Sequence, residues 1–61
     1  MSQLSEKELM ALNDLLASEE LLVKKFQMLS QQSQDPEVQS KFTEISNQHQ
    51  GHFNALYSRL N

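Results

Sequence analysis

Between Ser5 and Gln34 the chain has neither Gly nor Pro, and its one Pro, Pro36, comes directly after Asp35. That single interruption constrains the fold more than any other feature. Apolar residues recur at three- and four-residue spacing on both sides of it, which is the period of an α-helix and not of a strand. The stretch "QSQDPEV" breaks the pattern with polar residues and restarts it with Asp35 as N-cap, Pro36 at the first helical position and Glu37 in the first turn.

The other helix start is written in "LSEKELMAL". Ser5 can cap, Glu8 three residues on completes a capping box, and Leu4 with Leu9 can form a hydrophobic staple. Acids dominate the early turns (Glu6, Glu8, Asp14) while Lys24 and Lys25 come late, which suits the helix dipole. These signals predict helix one over about 5–33, a turn at 34–35 and helix two over about 36–60. Gly51 falls inside the second helix, where it costs about 1 kcal/mol relative to Ala; either a close neighbour requires it or the helix tolerates it.

So short a connection makes the helices antiparallel neighbours, an all-α hairpin with arms about 40 Å long at 1.5 Å per residue. With 61 residues in all, one unit spanning 1–61 is the only domain count that fits. The chain has no Cys, so neither a disulfide nor a cysteine metal site can staple it. Chains this small usually gain stability from a metal or from another copy of themselves.

Written as heptads, helix one places Leu9, Leu12, Leu16, Glu19, Val23 and Phe26 on the seam, widened on one side by Leu15, Leu22 and Leu29. Helix two places Val38, Phe42, Ile45, His49, His52 and Leu56 there, with Phe53 and Leu60 on the flank. Two helices cannot cover a stripe that wide, because the inner face of a lone hairpin stays open to water. A second hairpin related by a two-fold axis would close it as a homodimeric four-helix bundle. Leu21 and Met28, at outer positions, would remain apolar even then, a feature that fits a surface for further assembly.

The interruptions of the seam are Glu19, His49 and His52. Folding the hairpin about residue 34 puts Glu19 and His49 at one level, each fifteen residues from the turn, with His52 one turn further. Phe26 then meets Phe42 and Val23 meets Ile45 on the turn side, and Leu12 meets Leu56 on the other. An unpaired carboxylate in an apolar seam is costly. Two imidazoles at i and i+3 beside it form a candidate metal site, with zinc or iron as the ion. The same residues could instead form an ion-free hydrogen-bonded network that specifies pairing.

Several function classes drop out. Five basic against eight acidic residues give a formal charge of -3, and no basic cluster exceeds Lys24-Lys25, so no nucleic-acid footprint is present. No apolar run reaches membrane-spanning length, and "MSQLSEKEL" lacks the features of a signal peptide. The expectation is a soluble chain synthesised in the cytoplasm. With no Cys nucleophile, no Gly-rich phosphate loop and no Ser-His-Asp pattern, no enzymatic activity is expected.

"ASEELLVKKFQ" followed by "DPEVQSKFTEISNQHQGHFNAL" resembles the ferritin-like superfamily, most closely the coat F type of bacterial spore coat proteins. In the wider rubrerythrin and ferritin group, one helix carries a metal-binding Glu seven residues before an aromatic. The next carries Glu-x-x-His followed by an aromatic. Glu19 with Phe26, and His49-x-x-His52 with Phe53, fall on those positions, and the likeness covers about residues 9–60. The resemblance implies a ferritin-like bundle, of which this chain supplies half, and a structural role in a spore coat alongside other coat proteins. It also implies metal ligation by Glu19, His49 and His52. Where the family has the Glu of Glu-x-x-His this chain has His49, which removes the carboxylates that bridge two irons and favours an imidazole-loving ion such as zinc.

Overall fold

A computed structural model describes residues 4–60. Helix α1 spans Glu6–Gln32, helix α2 spans Pro36–Tyr57, and a short 3-10 turn, Ser58–Leu60, ends the described chain. The two long helices pack against each other as an antiparallel hairpin.

Both helix starts follow their caps. The Ser5 hydroxyl accepts from the Glu8 amide at 3.1 Å, and Glu8 Oε1 accepts from the Ser5 amide at 2.9 Å, the complete capping box. These contacts, the Ser5 backbone amide first and its side chain second, hold the Glu8 carboxyl below its ordinary range. At the second start, Asp35 Oδ1 accepts from the amides of Glu37 at 2.8 Å and Val38 at 3.2 Å. Helix α2 stops at Tyr57, short of the Leu60 that the apolar spacing suggests. There the Ser58 hydroxyl donates to the Ala55 carbonyl at 2.7 Å, a side-chain bond that competes with the helical ladder, and the chain tightens into the 3-10 turn.

The hairpin folds about residue 34. Phe26 meets Phe42, with ring centroids 5.9 Å apart, and Glu19 meets His49; each pair is equidistant from the turn. At the level where the heptads set Val23 against Ile45, a polar bond also crosses between the helices. Opposite Val23 the hydroxyl of Ser46 donates to the Val23 carbonyl at 3.0 Å, and Ser46, only 2 % exposed, is the most buried polar residue among those described. A small side chain here lets the two backbones approach closely enough for that bond.

The resulting body has Cα extents of 46 × 16 × 10 Å, a single layer of two helices. Its core is correspondingly thin: among the described residues Leu12, Leu16 and Val23 are the buried apolar ones, and no side chain is fully enclosed. Leu9, Leu15, Val38 and Leu60 are all exposed, and so are the outer Leu21 and Met28. The accessible surface is 4934 Å², against about 4,100 Å² for a compact monomer of this 7.1 kDa mass. A Cβ built on Gly51 meets nothing within 4 Å, so the hairpin tolerates this glycine rather than requiring it. No described helix is long and apolar enough to cross a membrane.

Candidate metal centre

Glu19 sits midway along α1, thirteen residues from either end of Glu6–Gln32. Its side chain leaves the helix on the seam between Leu16 and Val23, two of the three buried apolar residues. From α2, His49 and His52 project toward the same level one helical turn apart, as i,i+3 residues must.

The three side chains converge. His49 Nδ1 lies 2.6 Å from Glu19 Oε1, and His52 Nδ1 lies 3.5 Å from Glu19 Oε2, so one carboxylate faces both rings with a different oxygen for each. One candidate ligand atom from each residue falls within 4.8 Å of the others. The Glu19 and His49 side chains retain 18 % and 23 % of their exposure, whereas His52 retains 62 %. The layer is therefore shielded on its His49 side and open at His52, where the sequence pattern places an apolar lid on both sides.

His49 is held from two directions. Phe26 stacks on it with centroids 5.9 Å apart and planes 13° from parallel, and His52 meets it edge-on at 5.6 Å and 84°. A charge-assisted bond to Glu19 and a flat apolar wall together leave the His49 ring little rotational freedom. The hydrogen bonds of Ser30 to the Gln39 carbonyl at 3.0 Å and to the Thr43 hydroxyl at 2.8 Å steady the helix pair on the turn side.

The seam placed Glu19 and His49 at one level with His52 one turn further, and the structure brings all three together. It did not place Ser46, whose bond to Val23 sits just turnward of the layer and fixes the helix spacing there. Its one mark in the sequence is position: Ser46 lies on one flank of α2, seven residues from both Gln39 and Phe53.

The donor set discriminates among ions. A di-iron centre of the ferritin-like kind relies on bridging carboxylates, and among the described residues Glu19 is the one carboxylate of this cluster. Two imidazoles and one carboxylate suit zinc, which accepts nitrogen and oxygen ligands in tetrahedral geometry. No protein family, curated protein or solved structure matches the chain.

Proposed function

We propose that the chain is a non-enzymatic assembly protein whose hairpin pairs with a second copy to complete a ferritin-like four-helix bundle. Through the likeness to coat F proteins, it would serve as a structural component of a bacterial spore coat, in contact with other coat proteins. The observation that carries the pairing is the surface left exposed by a one-layer hairpin. It exceeds that of a compact monomer by roughly 800 Å², the area one partner loses in a standard protein interface. Leu9, Leu15 and Val38, exposed in the single hairpin, lie on or beside its seam and are the side chains a second copy would cover.

Thermal unfolding followed across a hundredfold range of protein concentration tests the pairing. A midpoint that rises with concentration is expected of a folded dimer that melts to unfolded chains; a midpoint independent of concentration contradicts it. The coat role is tested in the source organism: antibody against the chain should find it in extracted coat layers, and recovery only from soluble cell contents would refute that role.

A second reading is a small metal-binding protein of ferritin-like or rubrerythrin-like kind, with Glu19, His49 and His52 as ligands. It is favoured by the convergence of the three donors within 4.8 Å. Elemental analysis of protein purified without chelator and incubated with iron or zinc checks it; content far below one ion per two chains removes it.

A further inference from the structure

The orientation of the two histidines assigns Glu19 a different part from that of a ligand. Both imidazoles turn Nδ1, not Nε2, toward its carboxylate. A carboxylate only accepts hydrogen bonds, so the Nδ1 that lies 2.6 Å from Oε1 carries the proton. In a neutral imidazole the lone pair then resides on Nε2, and among the described residues nothing hydrogen-bonds to Nε2 of either ring. A carboxylate that fixes a histidine tautomer from behind is the usual support of a zinc-binding imidazole.

We propose that Glu19 is the brace and that Nε2 of His49 and Nε2 of His52 form a two-imidazole clip. Two such clips, one from each hairpin of the pair proposed above, close on a single zinc ion. Zinc in a closed site takes four ligands, so one hairpin's clip is two short and needs the second copy.

The position of the layer makes that meeting follow from symmetry. Because Glu19 is the midpoint of α1, a two-fold axis across the arms at full overlap passes through its level and sets the layer against its own copy. A two-fold axis along the arms, with both turns at one end, also sets equal levels side by side. Either pairing puts the two clips at one level, and His52, 62 % exposed in the single hairpin, is the ring a second copy can reach.

Charge supports the same assignment. Pairing brings two Glu19 carboxylates into one layer, and like charges brought together there need a cation beside them. A divalent cation held by four neutral nitrogens and braced by two carboxylates leaves the layer with no net charge.

The test uses the full chain stripped of metal and titrated with zinc, with sedimentation velocity, zinc stoichiometry and 15N spectra of the imidazoles read together, and cobalt as a coloured substitute. One ion per two chains, with Nε2 and not Nδ1 shifting on binding, supports the clip. In Glu19→Gln the ligands remain, so affinity should fall about 10- to 100-fold while the cobalt spectrum at saturation keeps its tetrahedral form. His52→Ala changes a residue that is largely exposed in the hairpin, so the fold persists and stoichiometric binding should vanish. One ion per single chain, metallation at Nδ1, or an altered cobalt spectrum in Glu19→Gln would overturn the clip in favour of Glu19 as ligand. A dimer that takes up no zinc overturns the clip and leaves the pairing intact. A monomer with or without zinc overturns the pairing itself.

Discussion

The half of the hairpin nearest the turn and the half beyond Glu19 are held by different forces. On the turn side, directional polar bonds from Ser46 to the Val23 carbonyl and from Ser30 to the Gln39 carbonyl cross between the helices, and Gln39 Nε2 donates to the carbonyl of Ser33 in the turn at 2.6 Å. Phe26 leans against Phe42 in the same half. Beyond Glu19 the described residues show no cross-helix hydrogen bond. Leu12 and Leu16 are buried there, while Leu9, Leu15, Tyr57 and Leu60 remain exposed. Hydrogen bonds set register and spacing where a short turn already limits the choices. Non-directional apolar contact holds the far half, and it leaves there the surface that a second copy would use.

The largest effect should come from the far half's own core. Leu16→Ala deletes a buried side chain where nothing polar substitutes for it, and a loss of about 3 kcal/mol is expected in denaturant unfolding. A loss below about 1 kcal/mol would show that apolar contact is not what holds this half.

Leu15→Glu sharpens the contrast between the single hairpin and the pair. Leu15 is 50 % exposed in the hairpin, so in a monomer the change should stay within about 0.5 kcal/mol. In the proposed dimer each copy forfeits about 1 kcal/mol, the apolar burial of the exposed half of Leu15, so the pair loses about 2 kcal/mol and association should weaken by roughly 30-fold. Dilution experiments comparing the variant with the parent chain separate the two outcomes.

On the turn side, Ser46→Ala removes one buried hydrogen bond but leaves the Val23 carbonyl its place in the helical ladder. A cost of about 1 kcal/mol is expected, with the helix register unchanged in NMR contacts between Phe26 and Phe42. A register shift would mean that Ser46, and not the turn, sets the alignment.

The smallest effect is at the far end of α1. The folded Glu8 carboxyl is held below its ordinary value of 4.5, so its capping contribution is present above that pH and is lost as pH falls through the lowered value. Helicity over residues 6–9 should decline on acidification in the parent chain and depend less on pH in Ser5→Ala, which removes the hydroxyl half of the box. An identical pH profile in the two would mean that the box does not hold the helix end.

The two helices, their starts and the turn were legible because each rests on local chemistry: Ser5 with Glu8, Asp35 with Pro36, and an apolar period broken only at Glu19, His49 and His52. The level shared by Glu19 and His49 was legible too, because a tight turn leaves an antiparallel pair almost no freedom of register. Burial was less so. Ser46 lies buried and Leu9 exposed, the reverse of their polarity, because burial in a two-helix layer depends on how closely the backbones approach and on which side has no neighbour. The end of α2 at Tyr57 escaped for a similar reason: the Ser58 hydroxyl's choice of the Ala55 carbonyl leaves no mark on the apolar spacing.

Sedimentation equilibrium of the full chain at micromolar concentration measures the pairing most directly. The thin core and wide exposed seam predict a mass of about twice 7.1 kDa that falls toward a single, largely unfolded chain on dilution. A stable, cooperatively folding species of one chain's mass, unchanged across that range, would contradict the pairing and every role built on it.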